Sequence, residues 1–247
     1  MSIGTIGVLG GTFDPIHRGH LDAAAAVHVA LGLERILLMP AHVPPHRHRQ
    51  PHASAYHRFA MTALAAQDAP YLVAADTELQ VEGPSYTAHT LARLGTAGYA
   101  PWQIVFITGV DAFAEIATWY DYPRVLDAAH FAVVRRPHHS LESLDARLPA
   151  LRDRFTAATA AAFADAQAAR QTRVFRVNAD TSDVSSTRLR AALAAGDAVE
   201  SLLPSPVLAH IARHGLYGCP STGRSLAGRK PTRSVPPAIR WLTVPKP

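Results

Sequence analysis

The stretch Val8-Leu9-Gly10-Gly11-Thr12-Phe13-Asp14-Pro15-Ile16-His17-Arg18-Gly19-His20 decides how this chain is read. An apolar run from Thr5 to Leu9 has strand length and enters a Gly-Gly step, an Asp-Pro turn and then a helix opening near His17. Glycines 10 and 11 lack a Cβ, so backbone N–H groups there can come close to a phosphate. The helix start behind them adds unpaired donors with partial positive charge. His17 and His20 lie three residues apart on the first turn and so share one face. Imidazoles placed there can donate to oxygens that gain negative charge during phosphoryl transfer. Gly-Gly after a strand is also common in α/β folds, and histidines at helix starts often cap the helix or face water. The combination is more specific than either part.

Outward from this stretch, short apolar runs recur at 35–39, 71–75, 104–108, 131–134 and 173–177. Helical patterns fall between them at 18–31, 54–67, 85–95, 111–117 with 122–128, and 141–169, followed by a last helix at 205–214. Such alternation predicts an α/β fold, a Rossmann-like doubly wound parallel sheet with helices on both faces. Ligands bind such sheets at the carboxyl ends of the strands, where residues 10–20, 40–46, 109–111 and 183–187 would converge. Gly215 reads as a helix C-cap and Gly218 as the end of the folded region. One domain over 1–218 is expected, then a tail, 219–247, rich in Pro, Ser and Arg and expected to be disordered.

Composition excludes several classes of function. Of 247 residues, 48% are hydrophobic and 17% charged, which is globular usage. No membrane-spanning run and no signal segment is visible, so a cytoplasmic protein is expected, with no membrane partner. Cys219 is the single cysteine, which rules out an intramolecular disulfide and a cysteine-rich zinc site. The net charge of +5 suggests a polyanion partner until it is located. The tail holds six basic residues and no acid, leaving the other 218 residues at −1. Nucleic acid is therefore not the expected partner, and the oligomeric state stays open, a homo-oligomer included.

A second phosphate site is suggested by Asp183-Val184-Ser185-Ser186-Thr187-Arg188-Leu189-Arg190, which follows the last strand and begins a helix. Ser185, Ser186 or Thr187 can serve simply as an N-cap with exposed arginines behind it. At the same sheet edge as His17 and His20, however, those hydroxyls, the helix N–H groups and Arg190 could bind the β- and γ-phosphates of a triphosphate.

The Gly-Gly-Thr-Phe-Asp-Pro turn with H-x-G-H resembles the signature of the nucleotidyltransferase superfamily. Further stretches narrow the resemblance: 40–47 (PAHVPPHR), 82–87 (EGPSYT), 107–111 (ITGVD), 118–120 (TWY), 135–137 (RRP), 185–190 (SSTRLR) and 214–217 (HGLY). Together they make the chain similar to the bacterial nicotinate-nucleotide adenylyltransferases, with Pro84–Thr87 and Thr118–Tyr120 pointing to that member of the superfamily. The resemblance implies adenylyl transfer from ATP to nicotinate mononucleotide, giving deamido-NAD and pyrophosphate in NAD biosynthesis. It implies catalytic roles for His17, His20 and Arg190. ATP would be bound by Gly10, Gly11, Thr12, Phe13, His17, His20, Gly109, Asp111, Ser185, Ser186, Thr187 and Arg190, with Asp111 near the ribose and adenine. His46, Thr87, Trp119 and Tyr120 would meet the pyridine nucleotide.

Physical chemistry gives those last residues two readings. Nicotinate is a flat ring with a carboxylate, suited to an aromatic face and nearby donors. Trp119 can stack on it, although large aromatics more often simply pack in cores. Asp111 could equally cap the helix behind it. Mg²⁺ is expected to bind mainly through ATP phosphates, with no protein metal site. His42, His46, His48, His52 and His57 match no compact ligand set such as H-x-x-x-H on one helix with an acidic third ligand, and Pro44, Pro45 and Pro51 make their segment a loop. His138 and His139 receive no role. The rivals are adenylyltransferases acting on phosphopantetheine or nicotinamide mononucleotide, and a binding module with a vestigial site that makes contact through its basic tail.

Overall fold

Successive residues of a strand face opposite sides of a sheet, and here both sides are covered, which is why the strands read as unbroken apolar runs. The computed structural model describes residues 4–44, 50–137 and 140–219. Seven strands form one parallel sheet: β1 (Ile6–Gly11), β2 (Ile36–Pro40), β3 (Leu72–Ala74), β4 (Ile104–Gly109), β5 (His130–Val134), β6 (Phe155–Ala157) and β7 (Val174–Val177). Their spatial order is β3-β2-β1-β4-β5-β7-β6. β1 is central, with Val8 opposite Leu37 on one side and Phe106 on the other. The order reverses between β1 and β4, so a crevice opens at their carboxyl ends. This is the doubly wound α/β arrangement expected from the sequence.

The helices are α1 (Arg18–Leu31), α2 (Ala55–Ala66), α3 (Thr87–Thr96), α4 (Val110–Phe113), α5 (Ser143–Arg147), α6 (Ala160–Ala168), α7 (Ser186–Ala195) and α8 (Ser205–His214). Leu9, Ile36, Leu38, Val105, Ile107, Ala132 and Phe175 pack on one face, under α1, α2, α6, α7 and α8. Val8, Met39, Phe106, Phe131 and Val133 pack on the other, under α3, α4 and α5. Fully burying one such side chain contributes about 1.5–3 kcal/mol, so both faces of the sheet that carries the crevice are anchored by packing.

One expectation is corrected. Residues 141–169 are not one helix: α5 ends at Arg147, a 3-10 turn runs over Pro149–Arg154, and β6 precedes α6. Pro149 cannot continue a helix across Leu148. Phe155 and Thr156 then pair in register with Val174 and Phe175, and the Arg176 guanidinium lies 4.3 Å over the Phe155 ring. Alanine-rich composition gave a helical signal, and edge-strand pairing outweighed it.

Candidate active site

The Gly-Gly step shapes the turn through close packing as well as backbone freedom. A Cβ on Gly11 would lie 2.7 Å from the Phe13 ring. Phe13 itself is buried, with φ +48, a left-handed conformation that a bulky residue adopts only where its surroundings hold it. The holding group is Asp14, which is fully buried and accepts from the backbone N–H of His52 (2.8 Å) and Ala53 (3.0 Å) and from the Tyr217 hydroxyl (2.9 Å). Burial would raise its pKa, but these donors and nearby Arg190 outweigh burial and hold the carboxyl below its usual value. Arg58, buried on α2, donates to the carbonyls of Thr12 (2.8 Å) and Ala41 (2.6 Å), so the turn is fixed from two sides.

His17 is the N-cap of α1, and its backbone N–H donates to His20 Nδ1 at 3.3 Å. That bond leaves the His20 ring proton on Nε2, free to donate elsewhere. The two rings stack at 3.8 Å, and Phe13 meets His20 edge-on at 5.0 Å. His17 Nδ1 is buried with no hydrogen-bond partner among the described residues. Burial, reinforced by the Arg136 charge and only partly offset by Asp22, lowers the His17 pKa to about 4. Burial, then His17 and Arg136, also pushes His20 well below its ordinary value. Both imidazoles are therefore neutral donors at neutral pH.

The tip of α7 meets this turn. A Cβ on Gly19 would come within 3.0 Å of the Ser182 carbonyl, so glycine is what permits the approach. Asp22 on α1 accepts from the Ser182 N–H (2.9 Å) and hydroxyl (2.6 Å), and Ser186 Oγ donates to the Pro15 carbonyl at 3.3 Å. Two pockets flank the contact. The first is lined by Gly10, Gly11, Thr12, Thr87, Trp119 and Tyr120, together with Glu78, Ser85, Tyr86 and Phe106. The second is lined by Gly19, Asp111, Arg136, Ser185 and Arg188. Gly109 backs the second, since a Cβ there would strike Asp111 Oδ1 at 2.5 Å and Arg136 Nε at 2.8 Å.

Sequence reasoning placed some groups differently. The Arg190 guanidinium donates to the Asp14 carbonyl at 2.8 Å and to Thr187 Oγ1 at 3.3 Å, so Ser186 and Arg190 bear on the 14–15 turn and Thr187 meets Arg190. The guanidiniums lining the second pocket are Arg136 and Arg188, which lie beside Asp111 (3.7 Å) and Asp183 (2.9 Å). Arg136 sits in the R-R-P stretch that ends β5, and its place at the same sheet edge was the available signal. Trp119 packs edge-on against Phe106 at 6.1 Å and also lines the first pocket. Tyr120 stacks on Tyr86 at 4.7 Å. Glu78 accepts from Thr90 Oγ1 at 2.6 Å, and burial raises its pKa despite that bond. His46 and His48 lie outside the described residues. His42 contacts the Val81 carbonyl at 2.8 Å and His52 lies 3.4 Å from Asp14, so these two serve separate partners.

The chain was compared with known proteins. The cytidylyltransferase-like family matches residues 8–192. A Roseiflexus protein named "Probable nicotinate-nucleotide adenylyltransferase" is 38% identical over 88% of this chain and 100% of its own length. The Salmonella typhi "Nicotinate-nucleotide adenylyltransferase" is 35% identical over 85% of this chain and 97% of its own. The solved Plasmodium falciparum nicotinic acid mononucleotide adenylyltransferase complexed with NaAD has a similar fold, with TM-score 0.63 and 15% identity, over 88% of this chain and 98% of that one.

Proposed function

This chain belongs to the cytidylyltransferase-like family and, within it, to the nicotinate-nucleotide adenylyltransferases, and from that premise we propose how its residues carry out the transfer. The enzyme joins ATP to nicotinate mononucleotide, yielding nicotinate adenine dinucleotide and pyrophosphate. The 5′-phosphate of the mononucleotide attacks the α-phosphorus in line and pyrophosphate leaves. No protein nucleophile is needed, because the attacking oxygen is already anionic, so catalysis consists of positioning and charge stabilisation.

The stacked imidazole pair carries this reading. Segment 10–20 lines the first pocket through Gly10–Thr12 and the second through Gly19, and the same segment carries His17 and His20 at the start of α1, although neither imidazole lines either pocket. We assign the mononucleotide to the first pocket, with Trp119, Tyr120 and Thr87 around the pyridine ring and His46 near its phosphate. ATP is assigned to the second, with Asp111 toward the nucleoside. Ser185, Ser186, Thr187 and the arginines of the α7 tip take the triphosphate. Arg190 would also hold the turn through Asp14, and it reaches a phosphate only if ATP draws it from that carbonyl. His17 and His20, as neutral donors, stabilise the charge growing on the α-phosphate.

Mg²⁺ would enter as MgATP, held mainly through the phosphates of ATP. The magnesium would neutralise phosphate charge. Catalysis is assigned to residues 1–218 and none of it to 219–247. Among the described residues no helix is long and apolar enough to cross a membrane.

The test is pyrophosphate release with MgATP and, in turn, nicotinate mononucleotide, nicotinamide mononucleotide and phosphopantetheine. Nicotinate mononucleotide should give the highest kcat/KM, and a higher value for phosphopantetheine would overturn the assignment. Trp119→Ala should raise KM for the mononucleotide about 10-fold with kcat nearly unchanged, because a stacking face is lost from bound and transition states alike. A change confined to the ATP KM would put the pyridine in the wrong pocket.

A further inference from the structure

Glu78 lies on the turn that follows β3 and is buried, yet it is one of the residues lining the first pocket. It supplies the only carboxyl group among the described residues of that lining. The pocket is the one assigned to an anionic mononucleotide, where a loose negative charge would work against binding. This carboxyl is not loose. Thr90 Oγ1, on α3, donates to it at 2.6 Å, and the Ser85 hydroxyl is a second donor. Burial raises its pKa against those two bonds and the Arg93 charge, so the anionic form depends on the donors it keeps.

Those donors belong to the wall of the pocket. Ser85, Tyr86 and Thr87 line it at the start of α3, and Ala41 and Pro44 line it from the exit of β2. Ser85 Oγ accepts from the His42 N–H at 2.8 Å, the Ser85 N–H donates to the Val43 carbonyl at 2.9 Å, and Val43 and Pro84 form an isolated parallel bridge. The exit of β2, the turn at Glu78 and the start of α3 are thus joined through one carboxyl and a single bridge. Among the described residues, none lining the second pocket belongs to this network.

We propose that Glu78 is a positioning residue for the acceptor pocket, setting through Ser85 and Thr90 where Tyr86 and Thr87 stand against the pyridine nucleotide. The inference rests on the placement of the mononucleotide in the first pocket and names the group that holds that pocket's wall. Thr90 makes the idea testable, because it has no exposed surface and is not part of the lining. An effect of its hydroxyl on the mononucleotide therefore travels through the wall.

The test is steady-state pyrophosphate release by the full chain, with nicotinate mononucleotide and MgATP varied in turn. Thr90→Val keeps the branched shape of the side chain and removes its hydroxyl. It should raise the KM for the mononucleotide about 5-fold, with kcat and the ATP KM changed by less than about twofold. Glu78→Ala should raise the same KM about 10-fold or more, and adding Thr90→Val to it should do no further harm, because the shared bond is already gone. A parental mononucleotide KM in Thr90→Val, equal rises in both KM values, or effects that multiply in the double variant would each overturn the proposal. Should Glu78→Ala not fold, Thr90→Val decides alone. Trp119→Ala in the same assay separates this inference from the reading beneath it. A raised mononucleotide KM there, beside a parental one in Thr90→Val, removes the role of Glu78 and leaves the pocket assignment standing. A change in Trp119→Ala confined to the ATP KM removes both.

Discussion

The turn at 10–20 and the tip of α7 face one another across the same crevice, yet they are built on opposite principles. The first is buried and over-determined: Asp14 has no exposed surface, three donors fill its carboxylate, and the imidazoles beside it are kept neutral. The second carries its charge in the open. The Arg188–Asp183 side chains are 69% and 51% exposed, a pair that water and salt largely screen. Groups that must be oriented before the transition state forms gain from a dry, fixed setting, whereas groups that capture and release a polyphosphate need to move. The difference supports the proposed division, with the chemistry assigned to the first region and polyphosphate binding to the second.

The largest effect expected from breaking this contrast is at His20. His20→Ala should lower kcat about 10²–10³-fold while the KM for nicotinate mononucleotide changes little, measured by steady-state pyrophosphate release. An unchanged kcat would move the chemistry elsewhere. Next comes Asp14→Ala, which strands the Tyr217 hydroxyl and the His52 and Ala53 amides in a buried site. It should cost about 3 kcal/mol of stability in urea unfolding. A loss under 1 kcal/mol would mean the turn is held by something else.

Acid sharpens the comparison. The His17 pKa is about 4 in the folded chain and near 6.5 when unfolded, so between those values the unfolded state binds more protons. Stability from this residue is complete above pH 6.5 and is lost as pH falls toward 4, by about 3 kcal/mol in total. His130, fully buried on β5 with its pKa also lowered to about 4 by burial, acts in the same sense. His17→Gln should therefore flatten the fall in unfolding free energy between pH 7 and 4, and identical profiles for variant and parent would contradict the neutral imidazole. The smallest effect is reserved for the exposed side. Arg188→Gln should change stability by less than about 0.5 kcal/mol and raise the ATP KM several-fold, more at low salt than at high.

Much of this was legible in the chain. Strand and helix alternation gave the sheet, α1 begins and ends where its pattern does, and the Gly-Gly step and the histidine pair stand where the crevice opens. Strand β6 was hidden because its three residues sit between helix formers and acquire their identity only by pairing with β7. Asp14 reads as a turn residue, and Arg58 and Tyr217 receive no reading of their own, because their partners lie far off along the chain.

The sequence by itself determined the order of elements outside 141–169, the glycine-rich turn and the shared face of His17 and His20, since periodicity, caps and turns depend on residues a few places apart. Only the tertiary structure decided that Tyr217 would meet Asp14 across 203 residues, that Arg190 would bear on the turn, and that Arg136 and Arg188 would line the second pocket. Those choices are made by packing, where a buried polar group takes whichever partner the fold brings within hydrogen-bond reach.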